Sequence, residues 1–228
     1  MYSTVSVPVA IEDGLVNLKA NFWTFILIII VLGILDSLGT GPAFRQSMGG
    51  AGFEFGTAGS GGFLSVVIAI FVKPVFDYGA KMIFLRGLRE EDADLKDIAA
   101  GFSSKGQYVE IILTNVMIMI MLIVGFICLV IPGIFIACRV VLAPYLVMDK
   151  GLAPKQAISA SWELTRDFWF QALLLGLVSG LMFVVGMVLL LVGMIPAFAW
   201  IKAMFASFYQ QIIDIHSEEF LLSLDISP

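Results

Sequence analysis

Residues 109–148 and 168–213 form two apolar stretches of 40 and 46 residues, and they constrain this chain more than anything else in it. About 20 residues of α-helix cross a bilayer. A single helix of the first length would reach about 60 Å at 1.5 Å per residue, twice the hydrocarbon thickness. Each stretch carries a break near its middle, Pro132-Gly133 in the first and Pro196 in the second. Proline removes a backbone donor and glycine permits a turn. Each stretch therefore reads as a hairpin of two crossings that turns at Pro132, Gly133 and Pro196. Residues 22–38 and 63–85 supply two more spans. The expected fold is all-α: a polytopic helical membrane protein with six transmembrane helices as three hairpins, one integral membrane domain over residues 1–228.

Composition excludes the alternatives. Hydrophobic residues make up 60% of the chain and charged residues 14%, against roughly 25% charged in an ordinary soluble domain. A globule of this size needs more polar surface than that. The mean hydropathy of +1.00 excludes a disordered chain. The apolar runs are continuous rather than alternating, which argues against a transmembrane β-barrel. A net charge of −5 argues against nucleic acid as a partner. Cys128 and Cys138 both lie in apolar runs and read as small buried hydrophobes.

Basic residues set the orientation. Nine of them, Lys19, Lys81, Arg86, Arg89, Lys96, Lys105, Lys150, Lys155 and Arg166, fall on one side of the expected spans, and Arg45 alone falls on the other. The expected location is the cytoplasmic (inner) membrane with both termini cytoplasmic, and no cleavable signal peptide is expected. The connections 11–19, 94–102 and 154–166 read as short amphipathic helices in the cytoplasmic interface. Pro154 suits a first helical turn, and Ala157, Ile158, Ser161, Trp162 and Thr165 follow at three- and four-residue spacing.

A repeat runs through the chain. Residues 18–23 read like 164–169, Ile131-Pro132 reads like Ile195-Pro196, and Tyr145 then aligns with Tyr209. Three parallel units result, about 11–85, 94–149 and 154–214. Residues 39–62 form an expected outer loop with nine glycines and Phe44, Phe53 and Phe55. It reads either as a flexible connection or as a segment that packs on a neighbour.

Ionisable residues inside a membrane are costly and default to a functional hypothesis. Lys73, Arg139 and Lys202 lie well inside the expected spans, one in the second helix of each hairpin. Asp77 follows Lys73 by four residues and can pair with it. Asp36 closes the first span and could reach a cation near the outer side. These groups read either as internal pairs that fix helix positions or as a basic cavity for an anionic group such as a lipid phosphate. Gly176 and Gly180, and Ala199, Ala203 and Ser207, recur at four-residue spacing and read as helix-packing ridges. Met117, Met119 and Met121, two apart, spread around a helix and read as gap-filling or lipid-facing. His216, with Glu218 and Glu219, is a weak metal signal. No catalytic or nucleotide-binding motif occurs. No catalytic residue, cofactor or metal is expected.

Ile131-Pro132-Gly133-Ile134-Phe135, then Arg139, Ala143-Pro144 and Asp149, then Ala157, Ser161-Trp162, Leu164 and Thr165, resemble one group of bacterial six-helix membrane proteins. This is the YciC-like group, related to the membrane domain attached to some glycerophosphoryl diester phosphodiesterases. The resemblance covers about residues 14–214 and is strongest over 125–169. It implies the six-helix fold and says little of activity. Phosphodiesterase catalysis in the related proteins belongs to a separate soluble domain, so the resemblance implies none for these residues. The glycine-rich stretch 39–62 departs from the family pattern. The expected function is a non-enzymatic structural or assembly component that self-associates or scaffolds partners. The alternative is a transporter, channel or lipid-binding protein that uses the intramembrane basic residues. Expected partners are membrane lipids, a second copy of the chain, or other membrane subunits.

Overall fold

A computed structural model of the chain describes residues 5–39, 68–89, 91, 98, 101–102, 105–128, 130–188 and 190–215. Among the described residues the regular elements are all helical. They are α1 (Val7–Ala20), α2 (Phe22–Gly39), α3 (Lys73–Leu88, led in by a π turn at Ile68–Val72), α4 (Lys105–Cys128), α5 (Val130–Val140), α6 (Ala143–Lys150), α7 (Pro154–Leu164), α8 (Trp169–Val188) and α9 (Leu190–Ile215). Among the described residues three segments are long and apolar enough to cross a membrane: Gly106–Ile127, Pro132–Lys150 and Trp169–Gly186. Counting the bent pair Val7–Ala20 and Phe22–Ile34 as one makes four. The loop 40–62, residues 63–67 and the tail from His216 onward lie outside the described residues, as does the side chain of Asp36 within α2.

Local chemistry sets the helix boundaries. Prolines stand at the starts of α1, α3, α6 and α7, where the missing N–H would have had no intrahelical partner. Pro154 opens α7 as expected. α6 ends at Gly151, whose φ of 63° is the left-handed conformation that terminates helices and that a side chain strains. The chain bends by 96° between α1 and α2. Asn17 and Asn21 hold this corner: Asn21 Nδ2 donates to Asn17 Oδ1 at 3.1 Å, and Asn17 Nδ2 donates to the Phe84 carbonyl of α3 at 2.9 Å.

The hairpins turn ahead of their prolines, which corrects the expected turn residues. Pro132 and Gly133 lie inside α5, and Pro196 lies inside α9. The described helices end at Cys128 and Val188, and the next ones begin at Val130 and Leu190. In the second hairpin, Phe183 and Phe198 face each other with ring centres 5.4 Å apart. Pro132 is the third residue of its helix, among the four whose N–H groups lack intrahelical partners, so it starts a helix rather than breaking one. Gly133 has a packing role instead. A Cβ on Gly125 would come within 3.1 Å of the Gly133 Cα, so these two helices approach through glycine at the closed end of the hairpin.

α9 is the hub. Ala199, Ala203, Met204, Ala206, Phe208 and Tyr209 are all fully buried, and α1, α2, α3 and α8 pack around it. α1, expected to lie in the interface, is docked along α9. Gly14 allows this, since a Cβ there would meet the Met204 backbone nitrogen at 2.9 Å. Trp200 Nε1 donates to the Ile11 carbonyl at 3.1 Å, and Ser207 Oγ donates to Asp13 at 3.0 Å. α4 and α8 lie at the periphery and turn Ile120, Val124, Ile127, Leu177 and Leu181 outward, as lipid-facing helices do.

Candidate functional site

The polar groups of the bundle form a line across α3, α6 and α9. Asp77 of α3 forms an ion pair with Lys202 of α9 at 3.2 Å. Lys73 and Lys81, one turn before and one turn after, stand in the field of the same carboxylate. The Lys81 ammonium lies 5.0 Å from the Tyr78 ring centre and 5.9 Å from that of Tyr145 on α6. Tyr145 stacks on Tyr209 of α9 with centres 5.1 Å apart and planes at 18°. These are the two tyrosines that the repeat aligns.

The line ends in a fork. Tyr209 donates its hydroxyl to Asp149 at 2.8 Å. Arg89, at the end of α3, donates to both oxygens of Asp149 at 2.6 and 3.1 Å, and its Nε donates to Gln210 at 2.8 Å. Bidentate geometry of this kind is among the stronger polar contacts in proteins. The hydrogen bonds to Asp149, and then that carboxylate's charge, raise the Arg89 pKa above its ordinary value against the cost of burial. Asp149 and Tyr209 come from the second and third expected units and Arg89 from just beyond the end of the first, so this fork ties three distant segments together at one end.

Arg139 does not join that line, so the three expected cations do not share one cavity. Its guanidinium lies 5.1 Å from the Phe135 ring centre and 5.3 Å from that of Trp162, and Nη1 donates to the Trp162 carbonyl at 2.8 Å. Its own carbonyl accepts from Ser161 at 2.7 Å and Thr165 at 3.1 Å. Arg139 thus clamps α7 onto α5. The residues in this clamp, Phe135, Arg139, Ser161, Trp162 and Thr165, are among those that carry the family resemblance. Met117 and Met121 pack against the small core beside it, around Val140 and Ile158, while Met119 is exposed.

The two small-residue ridges have different fates. Ala199, Ala203 and Ser207 are fully buried. Gly176 and Gly180 face outward, and nothing lies within 4 Å of where their Cβ atoms would be. They pack on no helix among the described residues. The residues missed from sequence are Tyr78, Lys81, Arg89, Asp149 and Tyr209 as one connected group. The alignment of Tyr145 with Tyr209 was the available signal. Among the described residues no three His, Cys, Asp or Glu side chains gather as a metal site would require. Comparison with protein families, with characterised proteins and with solved structures finds no match.

Proposed function

We propose that this chain is a six-span, non-enzymatic protein of a bacterial inner membrane, related to the YciC-like group, that serves as a structural or assembly component by self-association. In this reading α2, α3 with the residues before it, α4, α5 with α6, α8 and α9 are the six crossings. The bias of basic residues sets both termini on the cytoplasmic side.

The observation that carries the self-association reading is the outward ridge of α8. Gly176 and Gly180 are one turn apart with open space beyond them, flanked by Leu177 and Leu181, which are 71% and 65% exposed. Small residues at this spacing let a second helix backbone come close in lipid, where close packing rather than hydrophobicity drives association. Arg139, by contrast, clamps a helix within the bundle, and Arg89 and Asp149 tie helices together. The test is the mass of the purified chain across a range of mild detergents, for the natural sequence and for Gly176→Leu with Gly180→Leu. The expected result is an oligomer that the double variant converts to a monomer of unchanged helicity. A single-chain mass for the natural sequence in every detergent defeats the reading.

A further inference from the structure

Tyr78 and Lys81 are one turn apart on α3, and among the described residues neither side chain has a hydrogen-bond acceptor. Tyr78 is 2% exposed, and its hydroxyl is buried with no hydrogen-bond partner. Native folds rarely leave such a group unsatisfied without a reason. The Lys81 ammonium carries three donors, yet among the described residues it lies against the ring faces of Tyr78 and Tyr145. Ring faces attract a cation without accepting an ordinary hydrogen bond.

Among the described residues, cations outnumber carboxylates at the same place. Lys81 stands in the field of Lys202 and of Asp77, and Asp77 is already ion-paired with Lys202. One carboxylate therefore faces two ammonium groups from α3 and α9, with Lys73 near it as well. The cluster is open to the surface, since the side chains of Lys202 and Asp77 keep 25% and 29% of their exposure. An excess cation, an idle buried hydroxyl and an opening are what an anion with several acceptor oxygens would use.

We infer that Lys81 and Tyr78, with Lys202 beside them, bind a phosphate-bearing anion. Phosphate oxygens accept from the Lys81 ammonium and the Tyr78 hydroxyl, and their charge offsets the surplus over Asp77. Arg139 has no part in this site. Such an anion has two sources, the diester of an anionic lipid headgroup or free inorganic phosphate.

The test uses the full chain in mild detergent, with native mass spectrometry and thermal unfolding as readouts. The probes are phosphatidylglycerol, phosphatidylcholine and inorganic phosphate. The natural chain is expected to hold phosphatidylglycerol roughly tenfold more tightly than phosphatidylcholine, whose trimethylammonium cancels the charge. Lys81→Gln is expected to remove that preference, again roughly tenfold. Tyr78→Phe is expected to weaken binding about threefold while raising the unfolding midpoint of the lipid-free chain, because it deletes an unsatisfied hydroxyl. This second variant tests the site even if Lys81→Gln fails to fold. Displacement of the lipid by millimolar phosphate, together with stabilisation by phosphate alone, supports the site with the free anion as ligand. Resistance to phosphate supports it with the lipid headgroup. No preference for phosphatidylglycerol and no stabilisation by phosphate overturns the inference. So does unchanged binding in both variants.

Discussion

Replacing Asp149 by Ala should lower stability by about 3 kcal/mol, and the figure follows from what the carboxylate holds. Asp149 accepts from Arg89 Nη1 at 2.6 Å, Arg89 Nη2 at 3.1 Å and Tyr209 Oη at 2.8 Å, and its side chain is only 6% exposed. Its loss strands the Tyr209 hydroxyl in a fully buried residue, at about 1–3 kcal/mol. Breaking a buried ion pair from one side costs about 3–5 kcal/mol when the remaining charge has nowhere to go. Arg89 is better placed than that, since its side chain keeps 24% of its exposure and its bond to Gln210. Taking about 1 kcal/mol for the hydroxyl and about 2 kcal/mol, below the buried-pair range, for the partly exposed Arg89 gives the total. Asp149→Asn retains acceptors and should cost about half as much. The assay is equilibrium unfolding in mixed micelles titrated with sodium dodecyl sulfate and followed by far-ultraviolet circular dichroism. A double-mutant cycle with Arg89→Met should give a coupling of about 1–3 kcal/mol, because the two groups share one contact. If Asp149→Ala costs less than about 0.5 kcal/mol, or the cycle shows no coupling, the fork is an ordinary surface pair and the reasoning fails.

Three further outcomes follow from the same packing. Thr165→Val removes one of the two hydroxyls donated to the Arg139 carbonyl and should cost about 1 kcal/mol in the same unfolding assay. It should leave phosphatidylglycerol retention unchanged, and a loss of retention would place the Arg139 clamp in the lipid site after all. Gly14→Val forces a side chain against the Met204 backbone and should cost about 1–3 kcal/mol, with earlier proteolysis of the amino-terminal segment as an independent readout. Pro196→Ala should leave the fold in place and change stability by about 1 kcal/mol or less, because the proline lies inside α9 rather than in a turn. A change in topology of this variant, read by cysteine accessibility from the two sides of the membrane, would restore Pro196 as the turn.

The helical class, the helix opened by Pro154 and the approximate place where the two long apolar stretches double back were legible in the sequence because they rest on short-range properties. Apolar run length against bilayer thickness, proline at first turns, and the 3- and 4-residue spacing of 154–166 need no knowledge of neighbours. Even there the turns were set a few residues late, since a proline early in a helix and a proline in a turn look alike along the chain. What lay beyond reach was which side chains meet. Asp77 pairs with Lys202, 125 residues away, and Arg89 with Asp149, 60 residues away. Sequence spacing could offer Asp77 only its helical neighbour Lys73, and it left Arg89 as one basic residue among nine. Gly176 and Gly180 are open while Ala199 and Ala203 are buried, although both pairs have the same spacing, because burial depends on where the other helices stand. Run length and periodicity are carried by the chain itself; partner choice is decided only when α9 becomes the hub and brings three distant segments to one end.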